Sequence, residues 1–193
     1  MSVVLSEEQG EVFQNIMLWL DQELGSQYKV LGGLAGTGKT HLISYLYEKA
    51  CREGYSVAIA AYTGKAVSVL KEKLPEIGED ISTIHHLIYD SYYEGGVWFN
   101  ERKTSIPFDF VIIDEASMVS EWIHKDLLLV CKRILYVGDH GPLPPVEGRF
   151  NVMQRPDFKL EKIHRQALDS PIIRLSMMAR EGKMIPFSDF GIS

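Results

Sequence analysis

"GGLAGTGKTHL" occupies Gly32 to Leu42. Three of its first five residues are glycine, Gly38 follows, and Lys39-Thr40 come directly after. Upstream, YKVL (Tyr28–Leu31) is a short apolar run that reads as a buried strand. Downstream, THLISYLYEKACREG sets Leu42, Ile43, Leu46, Tyr47 and Ala50 at helical spacing, and Gly54 sits where a helix would stop. The glycines therefore lie between a strand and a helix. In that setting Gly33, Gly38, Lys39 and Thr40 satisfy G-x-x-x-x-G-K-[ST], the pattern of a phosphate-binding loop. Glycine lets backbone N–H groups converge on phosphate oxygens with no Cβ in the way. The helix that follows turns its positive end toward the anion. The expected cradle for ATP is Gly33, Leu34, Ala35, Gly36, Thr37, Gly38, Lys39, Thr40 and His41. Lys39 would reach the β- and γ-phosphates, and the Thr40 hydroxyl would hold Mg²⁺. The alternative is a glycine-rich turn that merely precedes Lys-Thr, and the flanking strand and helix weigh against it.

Composition narrows the class. The chain has 193 residues, 46% apolar and 24% charged, which suits one globular domain with a real core. No apolar run approaches the roughly 20 residues that span a bilayer, and the N-terminus lacks a basic stretch followed by an apolar one. A cytoplasmic, monomeric chain without a membrane anchor is the expectation. Cys51 and Cys131 are isolated, lie in apolar helical contexts and fit no metal-ligand spacing, so buried thiols are expected. The net charge of −6 argues against a protein that coats nucleic acid and leaves room for a local basic groove.

Strand and helix signals alternate along the chain. A helix is expected over Ser6–Leu24, with Ser6 and Gln9 as a capping box and an apolar face of Val12, Phe13, Ile16, Met17, Trp19, Leu20 and Leu24. Strands are expected at Tyr55–Thr63, Phe108–Ser117, Arg133–His140 and in FKLEKI. Helices are expected in GKAVSVLKEKL, over Val119–Val130 and over Ser170–Gly182, with a short one after Ser82 as cap. This predicts an α/β fold with a mainly parallel sheet and helices on both faces. One segment breaks the alternation. Tyr92–Ile106 carries Gly95-Gly96 between aromatic-rich arms, a hairpin signal that marks 91–107 as an insertion. A surface loop with incidental aromatics is the other reading.

More chemistry follows the phosphate loop. Val111, Ile112 and Ile113 run into Asp114-Glu115, and an apolar strand ending in two acids can complete an ATPase site. Asp114 would hold Mg²⁺ through water, and Glu115 would act as general base on the attacking water. Paired acids at a strand end can also be a capping cluster. Gly138–Val146 then makes a proline-rich loop on the same edge, and Arg165 in IHRQA could stabilise charge on a γ-phosphate.

LSEEQ, GLAGTGKT, AYTGKA, STIHHLI, VIIDEAS, GDHGPLPPV and HRQ, in this order, resemble the first RecA-like domain of superfamily 1 DNA helicases, in particular the RecD/Dda-like group that moves 5′ to 3′. The resemblance runs from about Leu5 to Gly182. It implies a RecA-like P-loop fold and a motor that works on single-stranded DNA and the duplex fork. It implies adenine reading by Gln9, a coupling role for Asp139 and a γ-phosphate contact by Arg165. Thr63, Gly64 and Lys65, with Thr83 and His85, correspond to DNA-contacting segments. Trp98 and Phe99 fall where the group carries a duplex-splitting hairpin. Pro142 stands where the group usually has a γ-phosphate-sensing glutamine and offers no side-chain donor. The group also uses a second RecA-like domain, to which nothing in these residues corresponds. Without the resemblance, Lys65 reads as a solvated helix residue and His85 as a packed or surface imidazole. Two other classes stay open: a nucleotide and single-strand binding module without turnover, and a nucleoside-kinase-like P-loop enzyme.

Overall fold

The computed structural model describes residues 5–139 and 150–163. In chain order the elements are α1 (Glu7–Leu20), β1 (Tyr28–Gly33), α2 (Lys39–Arg52), β2 (Val57–Ala61), α3 (Gly64–Lys73), β3 (Ile81–Thr83), α4 (Ile84–Ile88), β4 (Tyr89–Glu94), β5 (Val97–Arg102), β6 (Phe110–Asp114), α5 (Glu121–Val130), β7 (Arg133–Gly138) and β8 (Phe158–Leu160). Six strands form one sheet in the order β3-β2-β6-β7-β1-β8, and every pairing in it is parallel. β4 and β5 form a separate antiparallel ribbon.

Both faces of the sheet are apolar because both are covered. Along β6, Phe110 and Ile112 pack with Ile16, Leu42 and Leu46 of α1 and α2 on one side. Val111 and Ile113 pack with Ile84, Ile88, Ile123 and Leu127 of α4 and α5 on the other. This is the expected α/β architecture of RecA-like type.

Local chemistry sets the helix ends. The Ser6 Oγ accepts the Gln9 N–H at 3.3 Å, and the Gln9 Oε1 accepts the Ser6 N–H at 3.0 Å. Such a reciprocal cap is worth about 1 kcal/mol. The helix stops at Leu20, short of the expected Leu24, which is exposed. Gly54 takes φ +93° just after α2, a left-handed conformation that L-residues disfavour. Cys131 is buried as expected, but Cys51 is exposed, because it lies off the buried stripe formed by Leu42, Ile43, Leu46 and Ala50.

Two segments differ from the sequence expectation. Ile81–Thr83 is a strand, paired with Ile59–Ala61 of β2, and the helix after it is capped by Thr83 rather than Ser82. A three-residue strand carries no readable period. Its partner is 22 residues upstream, and the burial of Ile81 against that partner defines it. The hairpin exists, but its arms begin at Tyr89 rather than Tyr92, and Ile106 is buried outside the ribbon. Gly95 and Gly96 both have positive φ, as a two-residue turn with right-handed strand twist requires. Trp98 and Phe99 are 69% and 44% exposed, so they do not anchor the loop in the core. Trp98 sits across from Tyr93 and Phe99 across from Tyr92, so the two aromatics lie on opposite faces of the ribbon. The base of the ribbon is fixed by Arg102 on Asp126 at 2.7 Å, and by the Lys103 N–H on the Ile88 carbonyl at 2.9 Å. The expected helix over Ser170–Gly182 and the loop 140–146 beyond Asp139 lie outside the described residues.

At the opposite edge, Asp109 gathers the beginnings of three strands. Its carboxylate accepts the Ser56 N–H at 3.0 Å, the Ser56 hydroxyl at 2.7 Å and the Lys132 ammonium at 2.6 Å. The Lys132 bond first, and then those from Ser56, hold its carboxyl well below the usual range. A depressed carboxylate stabilises the fold above its unfolded pKa of about 3.9 and loses that contribution as pH falls toward the folded value. Asp109→Ala should therefore lower the melting temperature at pH 7 by roughly 2–8 °C. Thermal melts over a pH series should show the gap to the unmodified chain narrowing below about pH 4.

Candidate functional site

The phosphate loop is the turn between β1 and α2. Gly36 and Gly38 take φ +83° and +80°, so both need glycine's freedom. Gly33 is required for a different reason. A Cβ there would meet the Thr37 Oγ1 at 2.8 Å and the Lys39 stem at 3.0 Å. Thr37 is fully buried, and its hydroxyl donates to the Leu34 carbonyl at 2.8 Å. Its own carbonyl accepts the Gln9 Nε2 at 3.0 Å. Gln9, 2% exposed, thus links the α1 cap to the loop: its oxygen serves Ser6 and its nitrogen serves Thr37. An adenine-reading role would have to share or exchange the nitrogen. The Lys39 ammonium donates to the carbonyls of Gly33 (2.9 Å) and Leu34 (3.2 Å) and pairs with the Asp139 carboxylate at 2.7 Å. It rests on an anion of the chain, at the place where a phosphate would approach. His41, in the first turn of α2, packs edge-on to Tyr45.

The two acids end β6. Asp114 continues the strand, whereas Glu115 breaks from it with φ +53°, and no other non-glycine among the described residues has positive φ. That conformation is uncommon for glutamate and costs of order 1–3 kcal/mol. It turns the backbone into the Ala116–Met118 turn and leaves Glu115 exposed beside the buried Ala116. Burial pushes the Asp114 carboxyl up from the ordinary carboxylate range. The Glu115 backbone N–H opposes this, the Glu115 charge adds to it, and Lys39 and Lys73 pull the carboxyl down. Gly138 ends β7 close against the same turn, where a Cβ would meet the Ala116 N at 3.3 Å and the Met153 sulfur at 3.2 Å. The sequence shows Gly138 only as part of a loop motif. The tight contact is what requires it.

A cleft of about 670 Å³ lies between these parts and is lined by Ala35, Lys39, Thr40, Asp114, Glu115, Ser117, Gly138 and Asp139. Its far wall is one face of α3: Lys65, Ala66, Val69, Leu70 and Lys73, with Thr63 at its head. That volume suits a ligand of nucleotide size. Lys73 was missed in the sequence. The signal was there in the spacing 65, 69, 73, one helical face that opens where Lys65 does.

The residues implied in DNA contact sit on the same edge of the sheet. Thr63 caps α3 through the Ala66 N–H at 3.2 Å, and Thr83 caps α4 through the His86 N–H at 3.1 Å. Each hydroxyl accepts in its cap and keeps its own proton to donate. Gly64 opens α3, and beyond its own helix and chain neighbours nothing lies within 4 Å of where a Cβ would stand. His85 is exposed but not isolated. Its ring lies 5.8 Å from those of Tyr62 and Tyr89 and 6.2 Å from that of Trp122. Trp98 and Phe99 are out on the ribbon and do not border the cleft. Arg165 and Pro142 lie outside the described residues.

Known proteins resemble this chain over most of its length. The family described as an AAA domain matches residues 4–189. The ATP-dependent RecD2 DNA helicase of Deinococcus radiodurans is 33% identical over 192 residues, an alignment covering 96% of this chain and 25% of that protein. The ATP-dependent DNA helicase dda of Enterobacteria phage T4 is 28% identical over 193 residues, 93% of this chain and 43% of that protein. The chain thus spans about a quarter to under half the length of these relatives. Among solved structures, Pif1 helicase from Candida albicans superimposes with a TM-score of 0.55 at 22% identity, covering 96% of this chain and 46% of that one, which speaks to the fold alone. The chain belongs to the AAA domain family, in the form of the N-terminal ATPase domain of RecD/Dda-like superfamily 1 helicases.

Proposed function

We propose that this chain is the ATP-binding and ATP-hydrolysing motor domain of a helicase that moves 5′ to 3′ along single-stranded DNA and separates duplex. One observation carries the reading. Lys39, Thr40, Asp114 and Glu115 border a single cleft at the edge where the parallel strands end, the position at which such sheets bind ligands. In this reading the loop of Gly33 to Thr40 holds the triphosphate. Lys39 exchanges Asp139 for phosphate, and the Thr40 hydroxyl and Asp114 hold Mg²⁺. A hydroxyl and a carboxylate are hard oxygen donors that suit this ion. The bound metal nucleotide supplies the phosphoryl group and the charge neutralisation for its transfer. Glu115, exposed and turned off the strand, orients a water and takes its proton. Gln9 and Thr37 hold the loop's shape from behind.

Lys39→Ala should abolish nucleotide binding while melting like the unmodified chain. Glu115→Gln should bind the nucleotide as well as the unmodified chain and lose hydrolysis. Binding by fluorescent-nucleotide titration and phosphate release checks both, and unchanged affinity in folded Lys39→Ala would refute the reading. Arginines supplied from a partner domain are worth about 10³–10⁵ in phosphoryl transfer. The relatives are longer than this chain, so these 193 residues alone should turn over slowly.

Asp114 offers a second check. A carboxyl whose folded pKa lies above its unfolded value costs stability once pH exceeds the unfolded pKa of about 3.9. Asp114→Asn keeps the shape and the bond from the Glu115 N–H but removes the buried charge. It should raise the melting temperature at pH 7 and abolish the Mg²⁺ dependence of nucleotide affinity. A lower melting temperature would contradict the balance of forces described above.

The DNA track in this reading passes Thr63, Gly64, Lys65, Thr83 and His85, and the ribbon meets the duplex fork. The ribbon's exposed aromatics support this, since base stacking on such rings is worth about 1–3 kcal/mol per base. Trp98 and Phe99 would then meet different bases, one on each face. With few phosphate contacts the salt dependence should be shallow. Lys65→Ala should reduce the slope of log K against log salt by about one. Fluorescence anisotropy with a single-stranded oligonucleotide measures this slope, and an unchanged one would put the track elsewhere.

A further inference from the structure

Lys73 is the least expected residue of the nucleotide cleft. It ends α3, eight residues after Lys65, and both lysines line the cleft with Val69 between them on the same helical face. Among the described residues neither lysine makes an ion pair, whereas Lys39 is paired with Asp139. The cleft therefore presents two uncommitted cations on the wall that faces its acids. Strand order says which end of a nucleotide that wall would meet. Gln9 and α1 lie at the β1–β8 side of the sheet, where Glu8 accepts the backbone N–H groups of Glu161 and Lys162. The acids end β6, two strands away from β1, and α3 leaves β2, one strand further. A nucleotide held by the loop, with its base toward Gln9, runs its phosphates toward Glu115 and then toward α3.

A commonplace role for Lys73 is a solvated lysine complementing the negative end of its helix. Lys71 lies in the same last turn and does that equally well, but it does not line the cleft. The helix end alone therefore gives no reason for Lys73 to face the acids. Its charge also reaches the Asp114 carboxyl, against the stronger upward push of burial.

We propose that Lys73 is a second cationic contact to the terminal phosphate, reaching it from α3 across the cleft from Lys39. This rests on the nucleotide reading above. Because α3 begins at Thr63, Gly64 and Lys65, the same rigid helix would touch the γ-phosphate with its last turn and the DNA track with its first. Loss of the γ-phosphate would release one end of a helix whose other end carries the strand.

The test compares a non-hydrolysable Mg-ATP analogue with Mg-ADP, each titrated against the 193-residue chain. Lys73→Met should weaken the ATP analogue about tenfold, the worth of one charged hydrogen bond. The same substitution should change ADP affinity less than about twofold, since ADP lacks the contacted group. Lys73→Arg should retain the preference for the triphosphate, and Lys71→Met should behave as the unmodified chain. Equal losses for both nucleotides, the same loss in Lys71→Met, or no loss at all would overturn the proposal while leaving the nucleotide site standing. If the unmodified chain bound neither nucleotide, the nucleotide reading itself would fall, and Lys73 with it. Thermal melts of each variant confirm that a loss of affinity is not a loss of fold.

Discussion

The parallel pairing of β6, β7 and β1 is the constraint on which the site depends. Gly32 lies beside Gly138, and Ile113 lies beside Tyr136, so three strands end at nearly one level. Each then delivers one part: the phosphate loop from β1, the acids from β6 and Asp139 from β7. A one-residue slip in any pairing would carry its side chains to the other face of the sheet. The register is strongly specified, because both faces are packed. Val111 and Ile113 belong to one core, and Phe110 and Ile112 to the other. The ends of the strands are chemically active because their middles are thoroughly apolar.

Close approach and charge finish the arrangement. Gly33 lets Thr37 and the Lys39 stem fold against β1, and Gly138 lets β7 run up against the turn after Glu115. Lys39 lies among two carbonyls and a carboxylate, so its donors are satisfied within the chain. Asp114 carries the opposite kind of tension, an acid whose burial resists ionisation. Glu115 adds backbone strain at the same point. Unfavourable terms gathered at one edge are common at functional sites, where rigid surroundings hold them in place.

The same economy extends to the surface implied in DNA contact. Thr63 and Thr83 begin helices by accepting backbone N–H groups, so removing either hydroxyl would uncap a helix. His85 gathers Tyr62, Tyr89 and Trp122 into one aromatic group at the edge of the sheet. Residues of the turn after β2, of α4, of α5 and of the foot of the ribbon therefore share a surface, although they are distant in the chain.

Whatever depends on neighbours a few residues apart was legible along the chain. Glycines followed by Lys39-Thr40 could be read because a phosphate loop is a local backbone shape. The Ser6 and Gln9 cap could be read because its two bonds span three residues. Gly95-Gly96 announced a turn because both positions need positive φ. The acids after Val111–Ile113 were legible once the loop upstream gave them a partner. Tertiary structure decided what depends on which surfaces meet. Ile81–Thr83 became a strand because β2 offered it an open edge, and this moved the helix cap from Ser82 to Thr83. The pairing register of the ribbon put Trp98 and Phe99 on opposite faces. Gln9 turned its nitrogen to Thr37, 28 residues away, which no local pattern could show. The placement of Lys73 was decided in the same way: on the chain it is one of two lysines ending a helix, and only the packing of α3 against β2 and β3 turns it, and not Lys71, toward the cleft.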